Sequence, residues 1–171
     1  MEQLSLSPSL ATHVPKSGFA PFWLNKSHEV KMKNPQCLLI VGNDSAVVVL
    51  LKEALQEWGY DVVTAGNGWE ALIVVGRHSV GGILVDMDMP VMDGRTMLNE
   101  LRWLGYRIPV LIMSEKSDER TRHQVLMEGA QGFLSKPPHL PSLQQSCSQI
   151  FRNYGVEKND GSYFPASLNK K

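Results

Sequence analysis

One aspartate stands out as a candidate for chemistry because it ends an apolar run and begins a polar loop. Ile83, Leu84 and Val85 predict a strand that is buried on both faces, and Asp86 follows them directly. Open α/β sheets bind their ligands at the carboxyl ends of the strands. A carboxylate there is partly desolvated and faces a crevice, which suits a metal ligand, a nucleophile or both.

Polar residues also follow three other predicted strands. Asn43 and Asp44 come after the first strand, Ser114 ends the fourth, and Lys136 follows the fifth. Because the carboxyl ends of parallel strands meet along one edge, we expect these side chains to lie near Asp86. An acid, a hydroxyl and a lysine at three successive strand ends are a stronger sign of function than one acid alone.

The elements that must position these side chains alternate along the chain. Apolar runs predict strands at 37–41, 61–65, a run that ends at 86, 108–113 and 131–134. Helical spacing predicts a first helix capped by Ser45 and stopped by Gly59, followed by helices at 68–78, 94–104, 118–128 and 140–154. This alternation predicts an α/β fold, a doubly wound parallel sheet with helices on both faces.

Composition limits the function classes. The formal net charge is zero, so no bulk attraction to nucleic acid or membrane is expected, and a hydrophobic content of 43% is enough for a core. No apolar run reaches the roughly 20 residues that span a bilayer, and no secretion signal is evident, so a cytoplasmic protein is expected. Cys37 and Cys147 lack metal-ligand spacing and are predicted to be buried free thiols.

The chain is predicted to have one folded domain between two tails. Residues 1–35 are expected to be mostly disordered, apart from an aromatic group at Phe19, Phe22 and Trp23. This group either docks on the domain or on a partner, or it belongs to a loosely collapsed tail. Residues 36–154 form the domain, and residues 155–171 form a flexible tail that is too short for an output domain. We therefore expect a stand-alone domain.

The predicted domain resembles the receiver domain of two-component response regulators. The motifs that carry the resemblance lie at 86–94, 109–114 and 129–137, with shorter matches at 59–60 and 68–72. The resemblance implies a flavodoxin-like sheet of five strands in the order 2-1-3-4-5.

The resemblance also implies a phosphorelay function. Asp86 takes the place of the residue that accepts a phosphoryl group from the phosphohistidine of a sensor histidine kinase or a histidine phosphotransfer protein. Lys136 takes the place of a fixed cation, and Ser114 that of the hydroxyl that hydrogen-bonds the attached phosphoryl group. Cations are needed because a carboxylate and a phosphate repel each other.

The family also implies Mg²⁺ at this site, and here the sequence departs from the pattern. Asp86 and the backbone carbonyl of Asp88 keep their places as ligands, but the usual pair of acids after the first strand is replaced by Gly42 and Asn43. Asp44 comes one place later and reaches the metal only if the loop bends, while the side chain of Asp88 offers partial compensation. Mg²⁺ binding is therefore expected to be weak.

Two functions follow from this departure. In the first, Asp86 is still phosphorylated, and the protein signals by contact with other proteins rather than as an enzyme. In the second, the domain is a degenerate pseudo-receiver that binds partners without phosphorylation.

Two features bear on how a signal would leave the domain. Phe133 occupies the place of the family's aromatic switch residue, which moves together with Ser114; the alternative is a plain core aromatic. The family's output surface corresponds here to Arg120, Arg122, His123, Gln124, Phe133 and His139. The alternative for these charged residues is a solvated helix face.

Apolar residues also stand at positions where the family's helices are usually charged. They are Val48, Val49, Ile73 and Val74, with Trp69 and Trp103 on further faces that we expect to be exposed. They indicate either a protein contact or tolerated single surface residues.

Other classes fail on particular residues. A haloacid-dehalogenase-type phosphatase needs a second acid two residues after the first-strand aspartate, but Asp44 is followed by Ser45 and Ala46. A flavodoxin needs a phosphate-cradling loop, and the stretch 43–45 is too acidic for one. No helix-turn-helix or basic patch indicates direct nucleic-acid binding.

Overall fold

Strands and helices alternate along the part of the chain that the computed structural model describes, residues 37–116 and 118–153. The strands are β1 Cys37–Val41, β2 Asp61–Ala65, β3 Val80–Asp86, β4 Val110–Ser114 and β5 Gly132–Ser135. The helices are α1 Ser45–Glu57, α2 Gly68–Arg77, α3 Gly94–Trp103, α4 Glu119–Met127 and α5 Leu140–Asn153. The predicted tails at 1–35 and 155–171, with their aromatic group, and Tyr154 lie outside the described residues.

The strands form one parallel sheet in the order β2-β1-β3-β4-β5, which confirms the predicted doubly wound, flavodoxin-like fold. At its carboxyl edge, Asp86 of β3 stands opposite Met113 of β4, and Ser114 of β4 stands opposite Ser135 of β5. The register therefore brings the last residues of β3, β4 and β5 to the same level.

Two apolar cores cover the two faces of the sheet. Helices α2, α3 and α4 pack on one face through Ala71, Leu72, Val75, Met97, Leu98, Leu101 and Val125. Helices α1 and α5 pack on the other face through Leu51, Leu55, Leu143, Cys147 and Phe151. The side chains of β1, β3 and β4 alternate between these cores, which explains why these strands are apolar at nearly every position.

Short carboxylate and amide side chains begin the helices. Asp44, not the predicted Ser45, caps α1, because its side chain accepts hydrogen bonds from the N–H groups of the first turn. Asn67, Asp93 and Asp118 cap α2, α3 and α4 in the same way. β3 begins at Val80, three residues before the predicted Ile83. The other predicted boundaries differ from the observed ones by two residues or fewer, with β4 starting at Val110 rather than 108 and β5 at Gly132 rather than 131.

Two glycines let elements approach each other closely. A Cβ on Gly94 would overlap the carbonyl oxygen of Asp86, so α3 can begin directly against the end of β3 only with glycine there. Gly82 of β3 leaves the space in which the ring of Phe151 lies. Both close approaches fix the position of β3, and hence of its last residue.

The apolar helix positions are only partly as predicted. Val49 is 52% exposed, Trp69 37% and Trp103 56%, as expected, but Val48, Ile73 and Val74 are half-buried. The helical spacing of the apolar residues in α1 also predicts that Leu50 faces the core of the domain, but it is 45% exposed.

Both cysteines are free, but only one is fully buried. Burial raises the pKa of the Cys147 thiol to about 12, so this thiol stays protonated at neutral pH. Cys37 is half-buried, and its Sγ donates to the carbonyl of Ser79. No helix within residues 37–116 and 118–153 has the length and apolarity needed to cross a membrane.

Candidate functional site

An ion pair between Asp86 and Lys136 lies at the carboxyl edge of the sheet. The ammonium nitrogen Nζ of Lys136 is 2.7 Å from Oδ2 of Asp86. The side chains are 5% exposed for Asp86 and 14% for Lys136, so the pair is largely shielded from water. Removing either partner would leave a buried, uncompensated charge.

The second oxygen of the carboxylate is also engaged. The N–H of Asp88 donates to Oδ1 of Asp86 over 3.1 Å, so the aspartate turns back on its own loop. Within the described residues, no buried side-chain nitrogen or oxygen lacks a hydrogen-bond partner. The carboxylate is thus held in one orientation from two sides.

Backbone hydrogen bonds join the ends of the three strands that carry these residues. The N–H of Met87 donates to the carbonyl of Met113, and the N–H of Lys136 donates to that of Ser114, each over 2.8 Å. Ser114 is fully buried, and its Oγ accepts a hydrogen bond of 3.1 Å from the N–H of Lys116. We call Asp86, Ser114 and Lys136 the acceptor side of the edge.

The end of β1 is built differently, and we call Gly42, Asn43 and Asp44 the strand-one side. Gly42 has no side chain, and its N–H donates to the carbonyl of Ala65. Asn43 is exposed. Oδ1 of Asp44 accepts hydrogen bonds from the first turn of α1, at 3.0 Å and 3.3 Å, so this carboxylate serves as a helix cap.

The residues of the edge do not fit a carboxylate-rich Mg²⁺ site. Among residues 37–116 and 118–153, no group of three or more His, Cys, Asp or Glu side chains is placed to hold a metal ion. The predicted ligand set divides accordingly: Asp86 is paired with Lys136, Asp44 caps a helix, Asn43 is neutral, and the side chain of Asp88 is exposed.

The residues predicted to carry a signal have mixed exposure. Phe133 is half-buried and packs against the core beneath α2, α3 and α4. Arg120, Arg122, His123 and His139 are exposed, and Gln124 is half-buried. Their roles stay predictions.

Sequence reasoning missed a set of hydrogen bonds at the opposite edge of the sheet. The guanidinium of Arg102 in α3 donates to the carbonyls of Tyr106, Ile108 and Gly129 and to Oε1 of Gln131. Arg95 of α3 also forms an ion pair with Glu128, the residue that follows α4. These bonds fix the end of α4 to α3, and nothing in their sequence spacing indicates that they form.

A second feature that sequence reasoning missed had a visible signal. The hydrogen bond from the N–H of Asp88 to Asp86 and that from the N–H of Lys116 to Ser114 each join a side chain to the backbone two residues later. Asp and Ser commonly make such turns, so residue type and spacing could have predicted both.

Comparisons with known proteins agree on one family. The family model of the response regulator receiver domain matches residues 38–148. The transcriptional regulatory protein ZraR of Klebsiella oxytoca is 32% identical over 130 residues, covering 76% of this chain and 29% of that protein. The transcriptional regulatory protein PrrA of Mycobacterium bovis is 33% identical over 125 residues, covering 73% of this chain and 54% of that protein. The chain therefore spans about a third to a half of the length of these relatives.

Solved structures show the same similarity. The receiver domain of a Francisella response regulator is 27% identical with a TM-score of 0.67, covering 70% of this chain and 98% of that one. The signal receiver domain of a histidine kinase from Syntrophus aciditrophicus is 30% identical with a TM-score of 0.61, covering 67% of this chain and 88% of that one.

Proposed function

The chain belongs to the family of response regulator receiver domains, and from this membership we propose that it accepts a phosphoryl group on Asp86 from the phosphohistidine of a partner protein. The observation that carries the proposal is the buried ion pair between Asp86 and Lys136. It combines a carboxylate nucleophile with a cation at the end of a central strand. The partner would be a sensor histidine kinase or a histidine phosphotransfer protein.

The transfer is a single displacement at phosphorus. A carboxylate oxygen of Asp86 attacks phosphorus in line, the O–P bond forms, and the N–P bond breaks and leaves its electron pair on the histidine nitrogen. Negative charge builds up on the phosphoryl oxygens during this step. The ammonium of Lys136, which bonds Oδ2 in the resting domain, is within reach to offset it, together with the N–H of Asp88.

Ser114 is the group that would respond to the new phosphoryl group. Its hydroxyl is buried at the end of β4 and accepts from the N–H of Lys116. A phosphoryl oxygen on Asp86 offers this hydroxyl an acceptor, and its reorientation would disturb the loop that leads into α4. Phe133, which is half-buried on the neighbouring strand β5, is the residue through which the disturbance would reach the surface.

The output would be a change in protein contacts rather than turnover of a substrate. Exposed residues of α4 and the start of α5 would form the contact surface: Arg120, Arg122, His123 and His139. A cytoplasmic location stays a prediction.

One observation favours a second candidate function. The strand-one side lacks the acids that the family usually has there, and the one acid present, Asp44, caps α1. A pseudo-receiver that binds its partners without phosphorylation would keep the fold and need no acids at this position.

Intact mass separates the two candidates. The full chain is incubated with acetyl phosphate and compared with Asp86→Asn and with Asp61→Asn, a control at the amino end of β2. We expect wild type and Asp61→Asn to gain the mass of one phosphoryl group and Asp86→Asn to gain none. If the wild-type chain gained no phosphoryl group from acetyl phosphate and none from a phosphorylated histidine protein, the result would support the pseudo-receiver.

A further inference from the structure

We infer that the ammonium of Lys136 is the resident counter-charge of Asp86, and that this domain neither retains Mg²⁺ at its acceptor site nor needs it to take up a phosphoryl group. The second half of this inference rests on the proposed function. The first half concerns only the binding of Mg²⁺, and a separate measurement tests it.

The donor set is the first argument. Mg²⁺ binds one or two carboxylates in near-ideal octahedral geometry and gives up its water reluctantly, so a weak donor set does not hold it. The buried edge offers one carboxylate, Asp86, which already has a partner on each oxygen. Gly42 offers no side chain, and Asn43 offers only a neutral one.

Helix capping is the second argument. Oδ1 of Asp44 accepts from the N–H groups of Ala46 and Val47 at the start of α1. Turning this carboxylate toward a metal would break both bonds and release the cap of a 13-residue helix. On the strand-one side, Oδ1 of the one acid is therefore committed to the helix cap.

Charge balance is the third argument. Asp86 and Lys136 carry opposite unit charges and are nearly buried, so the buried part of the site is neutral. A divalent cation would make it doubly positive and would lie beside an ammonium in a region of low dielectric constant. With two added carboxylates, at positions 42 and 43, the net charge of the site with the cation bound would again be zero.

Transfer from a small donor can be written without a metal. In acetyl phosphate the bond between phosphorus and the carboxyl oxygen breaks, acetate leaves with the electron pair, and an oxygen of Asp86 forms the new O–P bond. Lys136 and the N–H of Asp88 face the same carboxylate and offset the charge of the phosphoryl oxygens.

The binding test compares thermal unfolding midpoints of the full chain in MgCl₂ and in NaCl of equal ionic strength. Wild type is expected to show the same midpoint in both salts. The midpoint of Asn43→Asp is expected to rise slightly in MgCl₂. The midpoint of the double variant, Gly42→Asp with Asn43→Asp, is expected to rise by about 5 °C at saturating Mg²⁺. Circular dichroism checks that each variant is folded, because a side chain at Gly42 would crowd Val48.

Two outcomes of the binding test would overturn the first half of the inference. One is a wild-type midpoint that rises with MgCl₂ and stops rising in Asp86→Asn. The other is a folded double variant with no response to Mg²⁺, because positions 42 and 43 would then not be the reason for weak binding.

The transfer test repeats the acetyl phosphate incubation with EDTA and with MgCl₂. We expect wild type to gain one phosphoryl group at similar rates in both. A gain that occurs only with MgCl₂ overturns this inference and leaves the proposed function standing. No gain under either condition, with acetyl phosphate or with a phosphorylated histidine protein as donor, overturns the proposed function and the second half of the inference, while the binding result keeps its own outcome.

Discussion

The acceptor side and the strand-one side share one edge of the sheet, yet they are built on different principles. On the acceptor side, Asp86 and Lys136 meet in a nearly buried ion pair. On the strand-one side, Asn43 is exposed, Gly42 has no side chain, and the carboxylate of Asp44 bonds its own helix. On the acceptor side the polar side chains form contacts between elements, whereas on the strand-one side the one carboxylate caps its own helix.

The difference shows that a receiver fold does not need the strand-one acids. The carboxylate of Asp86 has its charge and its hydrogen bonds compensated by Lys136 and the backbone of Asp88. On the strand-one side, the polar side chain accepts hydrogen bonds from the unpaired N–H groups of the first helical turn, as at any helix start. Substitutions on the two sides should therefore differ in size and in kind.

The largest effect is expected from Lys136→Met, which keeps an unbranched side chain one atom shorter than that of lysine and removes its charge. Asp86 would become a buried carboxylate without a counter-charge, and we expect the free energy of unfolding to fall by about 3–5 kcal/mol. Urea unfolding measures the change, and Lys116→Met, at an exposed lysine, is the matched control with an expected change within about 0.5 kcal/mol.

Two further measurements sharpen this first prediction. Asp86→Asn in the Lys136→Met background should recover part of the loss, since it removes the uncompensated charge, so the two effects should not add. Adding MgCl₂ to Lys136→Met should not restore stability if the strand-one side cannot hold the ion. A loss no larger than that of Lys116→Met would mean that the pair is not buried as described.

The next effect compares two glycines: Gly94, which packs against the backbone of Asp86 on the acceptor side, and Gly42 of the strand-one side. In Gly94→Ala the new Cβ would meet the backbone carbonyl of Asp86, which cannot move without shifting β3. We expect a loss of about 3 kcal/mol, at the upper end for an overpacked position. In Gly42→Ala the nearest atom is a methyl group of Val48 at 3.2 Å, and a shift of a few tenths of an ångström by this half-buried side chain would relieve the contact, so the loss should be about 1 kcal/mol or less.

Urea unfolding of both alanine variants tests this order. Equal losses would contradict the idea that the acceptor side is the more tightly constrained of the two. A larger loss for Gly42→Ala would reverse the comparison.

Sequence reasoning was accurate where local rules act alone. The element positions follow from apolar periodicity and turn residues, because each signal lies within a few residues. The sheet order follows from the resemblance to the receiver family. The fully apolar runs before Asp86 and Ser114 predicted buried strands, and all seven residues of β3 and all five of β4 are buried.

Sequence reasoning failed where neighbouring choices compete or where distant residues meet. Ser45 and Asp44 are both good caps, and only the backbone conformation of residue 44, which is extended, decides between them. Leu50 fits the helical period, yet it lies at the margin of the buried stripe and remains exposed. The bonds of Arg102 depend on tertiary placement, for which the sequence has no local signal.

The smallest effect tests whether Asp44 acts as a cap or as a metal ligand. Asn caps helices about as well as Asp, so Asp44→Asn should change stability by no more than a few tenths of a kcal/mol, whereas Asp44→Ala should cost about 1 kcal/mol. A metal ligand would behave differently, because Asn and Ala would both weaken the response to Mg²⁺. We therefore expect urea unfolding to show a lower stability for Asp44→Ala than for Asp44→Asn. We expect the response of the unfolding midpoint to MgCl₂ to be the same in both variants as in wild type. If Asn and Ala lost stability equally, and did so only in MgCl₂, the carboxylate of Asp44 would belong to the acceptor site, and the division of the edge into two sides would be wrong.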